Sequence, residues 1–501
     1  MPRTHETPSP LDQRRAGVLL HPTSLPGPGP VGTLGLDALR FVEFLQAAGL
    51  TVWQMLPLSQ PHDDGSPYQC MSVNAGNIDL ICQRSLAEWG WLDATDEDIG
   101  RRNPFHCEQL RLARQGFLAV AEDSEREGFQ HFVQQHAHWL EDYALYLALK
   151  QEHGGRPWWQ WDAALRDRHT GALQKVRKRL DEVLDQYRFD QYVFYRQWGL
   201  LKEAANARGI LLFGDMPIFV AHDSADVWAH RRLFDLDDAG QPRSVAGVPP
   251  DYFSATGQRW GNPHYDWTRM QAEGFQWWIE RIASQLELVD LMRIDHFRGF
   301  EAYWAIPTDE PTAMNGQWVE APGEALFRTL KQRFGRLPLV AEDLGVITPE
   351  VEALRDGFGL PGMKILQFAF EGGADNPYLP HAHESNCVVY TGTHDNDTTV
   401  GWFQSCDEGL RSHVLDYLGQ PAEPMPWPLV RSAFASVARL AVVPLQDLLG
   451  LDARHRMNVP GTTEGNWTWR FTWDQFEEGL DEKVRAMAAM YGRTPQANYE
   501  G

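Results

Sequence analysis

Short apolar, β-branched runs that end in polar residues recur along the chain, and eight of them read as strands: AGVLLHP (16–22), TVWQMLPL (51–58), ILLFGDMPIF (210–219), LVDLMRID (288–295), LPLVAEDLG (337–345), GMKILQFAF (362–370), CVVYTGTHD (387–395) and RLAVVPLQD (439–447). Between most of them the apolar positions change to helical spacing, as in LDALRFVEFLQAAG at 36–49, where Gly49 supplies a stop. Near-continuous apolar strands alternating with helices predict a parallel sheet covered on its faces. Eight of them predict an α/β chain closed into a (β/α)8 TIM barrel.

The intervals are uneven. Strands two and three are separated by residues 79–209, which carry helical patterns such as HAHWLEDYALYLALKQEH and the aromatic cluster RPWWQW. A second long interval, 220–285, holds the Gly/Pro-rich segment VAGVPPDYFSATGQRWGNP. Either these are separate domains or decoration, or they are insertions into one catalytic barrel spanning 1–501 that build the walls of its active face, with 245–262 as an active-site loop. The insertion reading is the expectation.

Composition narrows the partners. In 501 residues and 57.1 kDa, 68 acidic side chains face 45 Lys and Arg, a net charge of -23 that repels nucleic acid and anionic lipid. Small or neutral ligands fit best. The five cysteines never fall as C-x-x-C, so neither a disulfide framework nor a zinc site is suggested, and a reducing cytoplasm is the expected location. The run AGVLL is too short for a secretory core, and no window approaches the ~18 apolar residues of a membrane span.

The chemistry concentrates at strand ends. In LVDLMRIDHFRGF (288–300), strand alternation puts Leu291, Arg293 and Asp295 on one face and Met292 and Ile294 on the other. That pairing is either a buried ion pair closing the strand or a carboxylate kept ionised beside a guanidinium for nucleophilic attack. Other strand ends also deliver acids: Asp215 in FGDMP, Glu342 and Asp343 in VAEDLG, and His394, Asp395 and Asp397 in TGTHDND. Carboxylates converging on the C-terminal rim of a barrel suit the paired-acid chemistry of glycosidic bonds, with a metal-binding cluster as the competing explanation.

RIDHFRGF, AEDLG, TGTHDND, GVLLHPTSLPG, SPYQCMS and GVPPDYFSATGQRWGNP, in this order-specific set from residue 16 to VPGTTEGNWTWR at 459–470, resemble the amylomaltases or disproportionating enzymes, 4-α-glucanotransferases of glycoside hydrolase family seventy-seven. The resemblance implies a retaining enzyme acting on α-1,4-glucans and maltooligosaccharides, with no cofactor and no metal, as a monomer or weak oligomer. It makes Asp295 the nucleophile, Glu342 the general acid and base, and Asp395 the stabiliser of the transition state. Asp215, Arg293, His296 and His394 would line the donor site, Tyr68 resembles the family's sugar-stacking tyrosine, and Pro250, Tyr252, Phe253, Gln258 and Trp260 would shape the acceptor side. An acid must hold its proton, so Glu342 is expected in a drier place than Asp295 with the higher pKa, ~5–5.5 Å from it. An α-amylase-like hydrolase or a non-catalytic glucan-binding barrel are the alternatives. Two departures from the family pattern stand out: CMSVNAGNIDLI follows SPYQ, and Glu371 replaces a common Asp.

Overall fold

The computed structural model describes residues 10–93, 105–250 and 254–495. Twelve strands are present among them: β1 Arg15–Leu19, β2 Val52–Gln54, β3 Leu211–Pro217, β4 Ser244–Val248, β5 Gln258–Pro263, β6 Leu291–Asp295, β7 Ala302–Pro307, β8 Gln317–Glu320, β9 Leu339–Ala341, β10 Gly362–Ile365, β11 Cys387–Tyr390 and β12 Leu440–Pro444. Eight form one parallel sheet in the order β10-β11-β12-β1-β2-β3-β6-β9; seven lie within the eight apolar runs, and β1 starts one residue before its run, at Arg15. The two end strands of that order meet, with the Ala341 amide donating to Pro361 O at 2.9 Å, so the sheet curls into the expected (β/α)8 barrel.

The strands are apolar on both faces because helices cover the outside. Leu36–Ala47 shows how: Ala38, Phe41, Val42 and Leu45 recur at helical spacing and are buried against the barrel. It ends at Gly49, whose φ of +69° is the left-handed conformation that terminates a helix, and Leu50 N returns to Leu45 O at 2.9 Å.

Between β2 and β3 the described chain is mainly helical, ending in the 26-residue helix Asp181–Asn206, which buries Leu184, Phe189, Val193, Phe194 and Trp198. In the WWQW cluster, Trp158 and Trp161 are core residues, while Trp159 lies flat on His222 with centroids 3.9 Å apart.

The segment 245–262, expected as an active-site loop, is bounded by strands. Its two arms are β4 and β5, paired antiparallel, and they join β7 and β8 in a second sheet of order β5-β4-β7-β8. β7 (AYWAIP) finds its partner β4 only across barrel strand β6 in sequence, and β8 (QWVE) is a short, mostly exposed strand paired with β7 alone, so neither stands out in the sequence. Val245 and Ile306, paired in register, form with Ala313 a small core under this sheet. It stands at the end of the barrel where β3 and β6 deliver their polar residues. Among the described residues no helix is long and apolar enough to cross a membrane.

Candidate active site

Register does the first part of the assembly. β3 and β6 run parallel with Asp215 opposite Arg293 and Pro217 opposite Asp295, so two carboxylates lie within reach of one guanidinium. Arg293 Nη1 donates to Asp215 Oδ1 and Oδ2 at 2.8 and 2.6 Å, and Nη2 donates to Asp295 Oδ1 at 2.8 Å. Arg293 and Asp215 side chains are only 5 % and 1 % exposed, whereas Asp295 keeps 30 % of its surface open. Burial alone lowers the Arg293 pKa, but the carboxylates of Asp215 and Asp295 outweigh it, so the guanidinium stays charged. The pair is therefore a platform with one carboxylate beneath and one presented upward.

Glu342 follows β9 immediately. At the end of β6 the chain turns through His296 in the left-handed region (φ +53°, ψ +49°), which aims the His296 amide at Glu342 Oε2, 2.6 Å away. Leu344 N donates to the other oxygen at 2.8 Å. Two amides fix the direction of this carboxyl. Burial pushes its pKa up to about 7, with Arg293 pulling down and the Asp295 charge adding to the rise.

The His296 ring stands edge-on to Trp260, centroids 4.9 Å apart at 88°, and burial lowers its pKa to about 4. Its Nε2 is buried and finds no hydrogen-bond partner in the protein. Trp260 Nε1 donates to Gln258 Oε1 at 3.1 Å, so the β5 arm reaches the acids through His296. Pro250 is exposed just beyond β4, and Tyr252 and Phe253 lie outside the described residues.

The third acid arrives from β11. Asp395 is 46 % exposed, with Asn458 Nδ2 donating to Oδ1 at 2.6 Å and His394 Nε2 lying 3.3 Å from Oδ2. Burial works to raise its pKa, but His394 and Asn458 outweigh that and hold it below the usual carboxylate range. For His394 the balance runs the other way: burial lowers, and the neighbouring Asp395 charge raises more. Tyr68 closes the ring. Its hydroxyl donates to Asp215 Oδ2 at 2.8 Å, so the same oxygen accepts from His394 Nε2 at 2.9 Å, and the two rings stack 5.3 Å apart. One continuous network thus runs from Asp395 through His394, Tyr68, Asp215 and Arg293 to Asp295.

Three members of this site were not singled out from the sequence. Asn458 grips Asp395, Arg456 Nη2 donates to the Asp395 carbonyl at 2.9 Å, and Trp467, at φ +63°, packs its ring 6.0 Å from Tyr68 and 6.1 Å from His394. The signal was present in RMNVPGTTEGNWTWR, whose polar and aromatic density is unusual for a segment without an element of its own. Asp343, adjacent to Glu342, has both oxygens occupied by Met363 N and Arg355. Among the described residues no three His, Cys, Asp or Glu side chains are grouped to hold a metal ion.

A barrel whose rim gathers one ion-paired carboxylate, one neutralised carboxyl and one anchored carboxylate is that of a glycoside-bond enzyme. The family model of the 4-alpha-glucanotransferases, glycoside hydrolase family 77, matches residues 20–475, and the chain belongs to that family. It is 51 % identical to the 4-alpha-glucanotransferase of Thermus thermophilus across 95 % of this chain and 98 % of that one. It is 41 % identical to the chloroplastic/amyloplastic 4-alpha-glucanotransferase of Solanum tuberosum, over 97 % and 87 %. Among solved structures, the amylomaltase of Streptococcus agalactiae in complex with acarbose superposes with a TM-score of 0.92 at 38 % identity, covering 96 % of this chain and all of that one.

Proposed function

We propose that the protein transfers segments of α-1,4-glucan from a donor to the 4-hydroxyl of an acceptor glucan or glucose, through a retaining double displacement. Asp295 attacks the anomeric carbon; the C1–O4 bond breaks and the proton of Glu342 goes to the leaving O4. A covalent glucosyl-Asp295 results. The acceptor's 4-hydroxyl then attacks C1, its proton passes to Glu342, and the carboxylate of Asp295 departs. Asp395 holds donor hydroxyls and favours the oxocarbenium-like transition state, an ionised role supported by its lowered pKa. Arg293 keeps Asp295 oriented from below, itself braced by Asp215. Tyr68, His394 and the unpartnered His296 Nε2 contact the donor sugar.

The observation that carries this reading is the asymmetry between neighbouring acids. Glu342 is pushed up to about 7 by burial, and so holds a transferable proton, while Asp295 is ion-paired to Arg293 at 2.8 Å and 30 % exposed. That a relative 38 % identical was solved with acarbose supports a glucan-shaped site. On the acceptor side, Pro250, Tyr252, Phe253, Gln258 and Trp260 of the segment 245–262 displace water, so that a sugar hydroxyl outcompetes hydrolysis. Cys70, Cys82, Cys387 and Cys406, buried thiols outside any disulfide, support a reducing compartment such as the cytoplasm.

Incubation with maltotriose tests the reaction. Glucose together with a ladder of longer maltooligosaccharides, at nearly constant reducing ends, is the expected outcome; glucose and maltose alone with rising reducing ends would establish hydrolysis instead. Asp295→Asn is expected to abolish both ladder and covalent intermediate while leaving the fold intact, and a variant that still builds the ladder at wild-type rate would remove the nucleophile assignment.

A further inference from the structure

The barrel is joined by ladders from β10 round to β9, and the ladder order breaks between those two strands. In a parallel pair the bond following Ala341 N to Pro361 O runs from the next amide of β10 to a β9 carbonyl. Here the Met363 amide donates instead to Asp343 Oδ1 at 2.7 Å. Asp343 Oδ2 is taken by Arg355 from the helix Pro349–Gly357, and the Asp343 side chain is 4 % exposed. The carboxylate passes so close over β10 that a Cβ on Gly362 would sit 2.2 Å from Oδ2, which restricts that position to glycine. A side chain has replaced a rung of the barrel.

That rung lies directly beside Glu342. Adjacent residues of an extended chain point oppositely, so Glu342 faces the cleft because Asp343 faces the seam. The turn that follows is held elsewhere by Leu344 N on Glu342 and by Arg298, which donates to Val346 O. Glu342 is bonded to the β6 side by its amide on Ile294 O at 3.0 Å and by Phe297 N on its carbonyl at 3.1 Å, and Asp343 ties the turn to β10 on the other side. We propose that Asp343 is the positioning residue for Glu342: through Met363, Gly362 and Arg355 it fixes the direction from which the acid meets the glycosidic oxygen. This rests on the assignment of Glu342 as acid and base.

The test compares two reactions that differ only in their need for that proton. With maltotriose the leaving O4 requires an acid and the acceptor a base. With α-maltosyl fluoride and azide, Asp295 displaces fluoride, which leaves with its bonding pair unprotonated; azide then attacks C1 and releases Asp295 without a base, giving α-maltosyl azide. Asp343→Asn and Arg355→Met are expected to lose on the order of 10²-fold with maltotriose, the penalty of a misplaced catalytic group. Both should retain most of the wild-type rate with the fluoride and azide, and Gly362→Ala should reproduce the split. Arg355→Met, on the outer helix, serves where Asp343→Asn does not fold. Equal losses on both reactions, or no loss on either, would overturn the positioning role. Glu342→Gln run alongside separates the two inferences: if it fails to show the split, the acid assignment itself is wrong, whatever Asp343 does.

Discussion

The Tyr68 hydroxyl is a single atom on which two strands' worth of chemistry depends. It donates to Asp215 and accepts from His394, side chains that approach it from β3 and from the end of β11. Tyr68→Phe leaves Asp215 its Arg293 partner but strips His394 of its acceptor, freeing the imidazole to turn from Asp395. A hydrogen bond to a charged group is worth about 1.5–3 kcal/mol, so kcat/KM on maltotriose should fall roughly 10–10²-fold with little change in melting temperature. Steady-state kinetics against thermal unfolding checks it. Glu342 sets the pH profile. Its carboxyl is raised to about 7, so the acid form is full well below 7 and is lost as pH rises through it. Asp395, held below the ordinary range, stays ionised on the acid side. Transfer rate should therefore decline with an apparent pKa near 7 on the alkaline limb, and Glu342→Gln should flatten that limb along with abolishing most activity.

At the level of elements, the helix Asp181–Asn206 carries a buried acid that the chemistry does not use. Asp190 has Gln186 Nε2 at 2.7 Å as its hydrogen-bond donor, and burial raises its carboxyl to about 7. A carboxyl raised above its unfolded value weakens the fold where the unfolded chain would be ionised. The penalty is absent near pH 3, grows through the interval up to 7 and is full above it, at up to about 4 kcal/mol. Asp190→Asn removes it, so urea midpoints of variant and parent should coincide near pH 4 and separate in the variant's favour by pH 8. The second sheet teaches a different lesson about elements. β4 and β5 were visible in 245–262 only as aromatic and Gly/Pro-rich chain, because a strand of four to six residues makes its case through its partner. β5 pairs only with β4, and β4's other partner, β7, comes after the whole of barrel strand β6.

At the scale of the molecule, the barrel has one weak junction. Seven strand pairs are laddered, while β9 and β10 share the Ala341–Pro361 bond and the Asp343 side chain. Local opening follows the least-bonded boundary, so the amides of Ala341 and Met363 should exchange with deuterium faster than those of Val389 and Val442 in the laddered β11 and β12. Equal protection across all eight strands would contradict this. The net charge of -23 belongs to the same scale: it disfavours polyanions and leaves neutral sugars indifferent to salt, so transfer rates should hardly change between low and moderate ionic strength.

The eight barrel strands were legible in the linear sequence because a parallel sheet buried on both faces demands near-continuous apolar runs, and the acids were legible because such runs end where a rim must be polar. Resemblance then attached roles to Asp295, Glu342 and Asp395. Tertiary structure alone decided what makes those acids differ. Glu342 and Asp343 are neighbours of like chemistry, yet one is a half-buried carboxyl of raised pKa held by the His296 and Leu344 amides and the other a rung in the seam held by Met363 and Arg355. Asn458 on Asp395, and Tyr68 against His394 across 326 positions of sequence, are contacts that no local pattern announces. Periodicity reports what a residue does with its nearest neighbours along the chain; pKa and orientation are set by whichever groups the closed barrel brings within a few ångströms.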